Sequence, residues 1–169
     1  MSLRIRDATA EDAERLLDFI RALAAYEREP DAVETDAETL RRQLASERPP
    51  FEAVLAEWDG TPVGFALYFY SYSTWRGAPG LYLEDLYVDP SYRGRGIGQT
   101  LLFHLAGRAL ARGCKRMEWS VLDWNEPARA FYEALGARPL TEWVRYRLSG
   151  AALEAAARRA RDEARGLPR

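Results

Sequence analysis

The sequence predicts a single-domain α/β (α+β) fold in which a mixed, mostly antiparallel sheet carries helices on both faces. Strand-like and helix-like periodicities follow one another as strand, two helices, three strands, helix, strand, helix, strand, helix. Three successive strands before the first crossover helix require antiparallel pairing, whereas a doubly wound parallel sheet alternates strictly. With 169 residues, 47% apolar and 30% charged, the chain has the size and composition of one folded domain. We therefore expect one domain over residues 1–169, with 149–169 as a C-terminal helical tail.

The first half of the chain predicts one strand, two helices and a hairpin. Each helix begins at a capping-box spacing, in which a Thr side chain and an acid three residues later satisfy exposed backbone N–H groups. Thr9 and Asp12 have this spacing, as do Thr35 and Glu38. The segment 59–62, Asp-Gly-Thr-Pro, separates two aromatic-rich runs as a hairpin turn does. The expected elements are a strand near Leu3 and Ile5, helices to about Tyr26 and from Thr35 to about Ala45, and strands at 51–58 and 63–72.

The second half predicts strands alternating with helices after a loop at 73–80. Gly113 and Gly136 suit the C-terminal caps of two helices, Pro127 suits a first helical position, and Ser149 suits an N-cap. The expected elements are strands at 81–88, 116–122 and 140–148, and helices at 97–112, 127–135 and 149–165. The inward positions expected for the first of these helices are Leu101, Leu102, Leu105 and Leu110.

Composition excludes several classes of function. The 24 basic and 26 acidic side chains leave a net charge of −2, so no overall positive field attracts nucleic acid or an anionic membrane, and we expect neither as a partner. One histidine, His104, and one cysteine, Cys114, cannot build a His/Cys zinc site or favour Cys–His catalysis, and we expect no metal. The single cysteine allows no internal disulfide, and the longest apolar run, 63–72, is about half the length that spans a bilayer. A cytoplasmic location is therefore the expectation.

The most informative segment is a glycine-rich turn before a predicted helix. Its residues are Arg93, Gly94, Arg95, Gly96, Ile97, Gly98 and Gln99. Glycine lets the backbone approach a ligand closely, and the first turn of a helix presents unpaired N–H groups with partial positive charge. Arg93 and Arg95 add cationic donors. The segment therefore predicts a site for phosphate or pyrophosphate.

Other interpretations of this turn remain open from the residues alone. A connector with solvated arginines would have the same composition. A dinucleotide fingerprint, G-x-G-x-x-G/A, fits poorly because Gln99 occupies its last position. A P-loop requires Gly-Lys-Ser/Thr, and the turn contains no lysine.

The turn resembles the R/Q-x-x-G-x-G/A signature of GNAT-type N-acetyltransferases. The segment 123–137, DWNEPARAFYEALGA, is similar to a second motif of that family. The resemblance implies a GNAT-like fold, acetyl-CoA as cosubstrate, and a turn that holds its pyrophosphate. It further implies that Asn125 meets the pantetheine arm and that Tyr132 is the general acid for the departing thiolate. Backbone N–H groups near Leu86 or Val88 are the candidates for stabilising the oxyanion.

Further stretches are similar to the diamine acetyltransferase branch, which includes spermidine/spermine and thialysine N-acetyltransferases. They are LAAYERE at 23–29, PVGFALYFYSYSTWRG at 62–77, LYLEDLYV at 81–88 and WNEPARAFYEALGA at 124–137. Polyamine-specific members tend to carry an acid two residues before the loop Trp, where this chain has Ser73. That departure weakens the case for long polyamines and leaves room for a thialysine-like or other small amine, or for an amino-acid side chain. The resemblance also implies a homodimer with sites near the subunit contact.

A polycationic amine requires carboxylates to pair with its ammonium groups and an aromatic face for its methylene stem. The candidate substrate-binding residues are Glu27, Glu29, Trp75, Glu84 and Asp85. Glu84 is the candidate general base, aided by Asp85, for direct attack in a ternary complex. Since neighbours on a strand point to opposite faces, one of this acid pair is expected to be structural.

The sequence leaves two other functions open. They are a catalytically silent acyl-CoA-binding or regulatory domain, and an acetyltransferase for a peptide or protein amine.

Overall fold

The computed structural model describes residues 1–166, with side chains over residues 1–161. The chain divides into two compact units, the first spanning Met1–Trp124 and the second beginning at Asn125. The first unit contains β1 (Leu3–Asp7), α1 (Ala13–Tyr26), α2 (Ala37–Leu44), β2 (Glu52–Trp58), β3 (Thr61–Ser73), β4 (Ala78–Val88), α3 (Ile97–Ala111) and β5 (Met117–Trp119). The second unit contains α4 (Glu126–Ala134) and α5 (Gly150–Gly166), so the last residues of the expected tail, 167–169, lie outside the described part.

The five strands form one mixed sheet in the order β1-β2-β3-β4-β5. The first four pair antiparallel in succession, and β5 pairs parallel with β4. Asp59 and Gly60 connect β2 to β3 with φ values of 48° and 81°. Positive φ at both central residues is the type I′ geometry that matches the twist of a hairpin. The predicted mixed, mostly antiparallel sheet and its hairpin are confirmed.

Helices cover both faces of this sheet, as predicted. Alternate residues of a strand point to opposite faces. Leu55, Phe65 and Leu67 share a buried cluster with Leu16 and Phe19 of α1. On the other face, Arg108 of α3 donates to the Tyr68 hydroxyl at 2.6 Å. The sheet is therefore the middle layer, with α1 and α2 on one side and α3 on the other.

Three local predictions in this unit need correction. The N-cap of α2 is Asp36 rather than Thr35, because its carboxylate accepts a 2.7 Å hydrogen bond from the Thr39 amide. In α3, Leu110 is 75% exposed and Ala109 is the buried residue of the last turn. The loop expected at 73–80 is much shorter, since β3 continues to Ser73 and β4 begins at Ala78.

The strands predicted at 116–122 and 140–148 also differ. β5 is only three residues long and ends at Trp119. Residues 140–148 form no strand, although their alternating pattern is typical of one. Their large apolar side chains are exposed, with Tyr146 at 95% and Val144 at 74%. Alternation alone does not produce a strand, because a strand also needs a neighbour for its backbone groups.

The helices of the second unit lie close to their predicted bounds. Helix α4 begins at Glu126, so Pro127 is its second residue rather than its first, and Gly136 follows the helix with a φ of 90°. No helix in the described part of the chain is both long and apolar enough to span a membrane.

An ion-paired network fixes the start of α1 to the sheet. The Arg6 guanidinium donates two 2.8 Å hydrogen bonds to the Asp12 carboxylate and one of 2.6 Å to Glu57. The same carboxylate accepts from the Thr9 amide at 2.8 Å, as the capping-box spacing predicts. The hydrogen bonds from Arg6, with that from Thr9, hold the pKa of Asp12 below its ordinary value.

We expect Asp12→Asn to lower the free energy of unfolding at pH 7 by about 1–3 kcal/mol, since both the cap and the Arg6 pair are weakened. A carboxyl whose pKa is lowered in the folded state stabilises the protein above its unfolded pKa, and this stabilisation is lost as the pH falls through the folded pKa. The difference in free energy of unfolding between the wild type and the variant should therefore become smaller below pH 4. Urea denaturation across pH 3–8 measures it.

The matched control is Asp18→Asn on the same helix, whose carboxylate lies 3.8 Å from Arg15 with both side chains more than half exposed. It should change stability by no more than about 0.5 kcal/mol. Equal losses in the two variants would show that the network around Arg6 adds nothing specific.

Candidate functional site

The candidate site is built on a β-bulge in the middle of β4. Leu83 pairs with Tyr68 and Asp85 pairs with Leu67, so Glu84 is an extra residue between two consecutive rungs of the ladder. Such a bulge breaks the regular alternation of a strand. Leu81 and Leu83 share a face with Tyr68 and α3, whereas Asp85 shares the opposite face with Leu67 and α1.

Three carboxylates interact beside this bulge. Burial raises the pKa of Asp85 to about 7, and the negative charges of Glu84 and Glu27 add to that rise. Glu27 follows the last residue of α1 at the surface, and its pKa is raised first by partial burial of the carboxyl and then by the charge of Glu84. The fold therefore brings together three of the four predicted substrate-binding acids.

The expectation that Glu84 and Asp85 point to opposite faces rests on a regular strand, and β4 is not regular at this point. Glu84 raises the pKa of both Asp85 and Glu27, which belong to the α1 side of the sheet. The bulge places Asp85 on the α1 side, although alternation from Leu83 would have sent it to the α3 side.

The glycine-rich turn has the backbone that its sequence predicts. Gly94 and Gly96 have φ values of 75° and 76°, and a Cβ added at either position would meet no atom within 4 Å. Gly96 is the N-cap of α3, so the first amides of the helix, beginning with Ile97, face the turn. The open space beside both glycines and the helix start suit an anionic group.

Arg93 is held in place beside this turn. Its Nε donates to the Val88 carbonyl oxygen at 3.1 Å, and its guanidinium lies 5.1 Å from the Tyr26 ring centroid and 5.9 Å from that of Tyr87. The guanidinium of Arg95 lies 5.1 Å from the ring of Trp58 and 5.2 Å from that of Tyr92. Each predicted arginine therefore rests between two aromatic rings.

Sequence reasoning missed the residues that flank Glu27. The Arg28 guanidinium lies 4.0 Å from the Trp124 ring centroid, and the Tyr26 ring lies 6.3 Å from the same indole. Arg28 and Trp124 are 96 positions apart, so no local spacing reveals the contact.

Trp75 lies far from the acids within one chain. It occupies the turn between β3 and β4 and is 88% exposed. Glu84 lies six residues beyond the first residue of β4, a separation of roughly 20 Å along an extended strand. Ser73, which precedes this turn, is buried, and its Oγ accepts from the Arg76 amide at 3.2 Å.

The remaining predicted residues lie at the end of α1 and in the second unit. Glu29 is exposed, and its amide caps the end of α1 by donating to the Ala24 carbonyl oxygen. Asn125 and Tyr132 belong to the second unit. Asn125 is not directly after a strand as expected, since β5 ends at Trp119, and its Oδ1 accepts from the Ala128 amide as the N-cap of α4. Tyr132 is half-buried on α4 with its ring 5.4 Å from that of Phe131.

The edge of β4 beyond the bulge is paired on one side. Pairing with β5 ends at Leu83 and Trp119, whereas pairing with β3 continues to Val88. Within the described strands, Leu86 and Val88 therefore lie where β4 has left β5. Backbone N–H groups that face away from β3 in this stretch are suited to receive a ligand oxygen.

A separate open pocket of about 430 Å³ lies away from these residues. Its charged lining residues are Asp7, Glu52, Arg108 and Arg112. They pair with one another, with Arg108 at 2.6 Å from Asp7 and Arg112 at 3.2 Å from Glu52. The pocket contains none of the predicted site residues, so it is not the candidate site.

Comparisons with known proteins point to one family. A sequence model of the acetyltransferase (GNAT) family matches residues 15–137. The thialysine N-epsilon-acetyltransferase of Bos taurus is 42% identical over 160 residues, which cover 88% of this chain and 94% of that protein. The human spermidine/spermine N(1)-acetyltransferase-like protein 1 is 37% identical over 145 residues, covering 82% of this chain and 21% of that longer protein.

A solved structure supports the fold. An integron cassette protein from the mobile metagenome of V. cholerae superposes with a TM-score of 0.77 at 28% identity, covering 93% of this chain and 98% of that one. The likeness extends over nearly the whole of both chains.

We expect Glu84→Gln to lower the pKa of Asp85, because it removes the nearest negative charge. The pKa should remain above 3.8, since burial is the larger cause of the rise to about 7. Titration of 13Cγ-labelled aspartate by NMR measures the shift. Glu29→Gln is the matched control and should leave Asp85 unchanged, and equal shifts in the two variants would contradict the coupling.

Proposed function

We propose that this chain, an N-acetyltransferase that belongs to the acetyltransferase (GNAT) family, moves the acetyl group of acetyl-CoA to a primary amine of a small diamine or thialysine-like molecule. The reaction proceeds by direct attack of the amine in a ternary complex. Membership of the family is the ground for the acetyl transfer. The chemistry of the amine site is the ground for the proposed class of substrate.

The observation that carries the substrate class is the cluster of Glu27, Glu84 and Asp85. The charges of Glu84 and Glu27 raise the pKa of Asp85, and that of Glu84 raises the pKa of Glu27, so a cation placed among these acids stabilises the ionised carboxylates. A substrate with two amino groups can offer one as an ammonium to this cluster while the other reacts. A monoamine has no second ammonium group for the acids to bind once its single nitrogen is deprotonated.

The acid pair on the bulge also suits proton removal. A primary amine with a pKa of about 10 is mostly protonated at pH 7 and must lose a proton before it attacks. We propose that the Glu84–Asp85 pair accepts this proton, with Glu84 as the general base and Asp85 as its partner. The pKa of about 7 at Asp85 makes the pair an efficient acceptor near neutral pH.

The glycine turn fits the diphosphate of acetyl-CoA. Gly94 and Gly96 leave open space where side chains would otherwise stand, and the α3 amides at Ile97, Gly98 and Gln99 begin beside it. Arg93 and Arg95 provide positive charge there. The bound coenzyme supplies an activated acetyl thioester, and a backbone N–H at Leu86 or Val88 is proposed to stabilise negative charge on the acetyl oxygen.

Two residues of the second unit complete the proposed machinery. By resemblance to the family, Tyr132 donates the proton that the departing thiolate needs, and Asn125 binds the pantetheine arm. The family match over residues 15–137 runs across the boundary between the two units, which supports our proposal that they act as one acetyltransferase domain.

The substrate is proposed to be short. The position where polyamine-specific relatives tend to carry an acid is Ser73, which is buried and engaged with the Arg76 amide. No carboxylate therefore extends the acidic cluster at that position. Thialysine, ornithine or a short diamine matches the remaining site better than spermine does.

A homodimer is the proposed assembly. Exposed aromatic residues on the far half of the β3–β4 hairpin, Phe69, Tyr72 and Trp75, offer a surface for a second copy. Trp75 remains a candidate substrate-binding residue only across such a contact, because it stands about 20 Å from the bulge in its own chain. A reducing compartment such as the cytoplasm is proposed on the ground that Cys114 is the single cysteine.

The decisive experiment is thiol release from acetyl-CoA with matched amines. Putrescine should exceed n-butylamine in kcat/KM by about tenfold or more, since a charge-assisted hydrogen bond contributes about 1.5–3 kcal/mol. Thialysine should exceed spermine. Equal rates for diamine and monoamine would contradict the role of the acid cluster, and activity with peptides alone would indicate a protein acetyltransferase.

We expect Tyr132→Phe to lower kcat by about 10²-fold or more while leaving the Kd of acetyl-CoA within about twofold, because only proton donation is removed. Stopped-flow thiol detection and calorimetric titration measure the two quantities. Phe131→Leu on the same helix is the control for packing. An unchanged kcat in the Tyr132 variant would remove this residue from the mechanism.

A further inference from the structure

We infer that Arg28 and Trp124 are positioning residues for the amine site, and that their stacked contact holds Glu27 towards Glu84. This inference rests on the proposed function of the acid cluster. Neither side chain needs to touch substrate. Each acts through the backbone that carries Glu27.

The end of α1 forms a tight terminal turn around Glu27. The Glu29 amide donates to the Ala24 carbonyl oxygen at 2.9 Å, and the Arg28 amide donates to that of Ala25 at 3.1 Å. These two bonds define a Schellman motif, whose left-handed position is normally glycine. Here that position is Arg28, with a φ of 64°.

An arginine in this conformation costs backbone energy that glycine would avoid. The Arg28 guanidinium compensates by lying 4.0 Å from the Trp124 ring centroid, a close cation–π distance. Tyr26, on the other side of Glu27, contacts the same indole at 6.3 Å. Both chain neighbours of Glu27 thus contact one ring, and we infer that these contacts restrict the backbone that carries the Glu27 carboxylate.

Charge alone would give Arg28 the opposite effect. A cation beside an acidic cluster repels a cationic amine, so its removal should improve amine binding if Arg28 acted only through its field. A positioning role predicts weaker amine binding on removal. The sign of the change in KM therefore separates the two roles.

The test compares Arg28→Gly, Trp124→Ala and the double variant, with Arg21→Ala as the control on the exposed face of the same helix. Glycine keeps the left-handed turn while deleting the stack. We expect Arg28→Gly to raise KM for putrescine about fivefold or more, with kcat within about twofold and the Kd of acetyl-CoA unchanged. Trp124→Ala should raise KM similarly, and the double variant should add little.

An unchanged or lowered KM in Arg28→Gly, or additive effects in the double variant, would overturn the inference. A second measurement is independent of turnover. The raised pKa of Glu27, followed by NMR of 13Cδ-labelled glutamate, should fall in Arg28→Gly as the carboxylate moves from Glu84, whereas loss of the cationic field alone would raise it further. If wild type lacks diamine activity but Glu27 responds in this way, the substrate proposal fails and the positioning contact stands.

Discussion

One extra residue in β4, Glu84, determines which face of the sheet the following side chains occupy. The strand buries Leu81 and Leu83 on the α3 side and then turns Asp85 and Tyr87 to the opposite face beside α1, which the alternation of a regular strand does not allow. The bulge at Glu84 reverses the direction of the following side chains without ending the pairing with β3. The position of Asp85 and Tyr87 on the α1 side of the sheet follows from that reversal.

The burial of Asp85, which the proposed chemistry uses, also lowers the stability of the folded protein when the carboxyl ionises. Burial that raises the pKa of Asp85 to about 7 means that ionising it in the folded state costs free energy. Because this pKa is raised, the cost is small below the ordinary value of 3.8 and grows as the pH rises towards 7. The buried apolar cluster between α1 and the sheet, which includes Phe19, Phe65 and Leu67, stabilises the fold against this cost. A cationic amine would lower the cost by pairing with the cluster.

Much of this architecture was predictable from the sequence because its signals are local. The periodicity of apolar residues predicted the helices and β1–β4, and the turn residues Asp59 and Gly60 predicted the hairpin. The bulge was not predictable, since the run at 81–88 reads as one continuous strand. Arg28 occupies a position where glycine is the recognisable signal, so the terminal turn of α1 was hidden. The alternation at 140–148 predicted a strand wrongly, because pairing depends on a neighbour that the segment itself does not encode.

The contacts of Arg93 also affect how much conformational entropy is lost when an anion binds there. A free arginine side chain samples many rotamers, and fixing it on a ligand lowers conformational entropy. Here the bond to Val88 and the rings of Tyr26 and Tyr87 restrict that sampling before any ligand arrives. An anion bound beside the glycine-rich turn would therefore meet a cation that is already ordered, and less of the attraction between them would be lost to ordering the side chain.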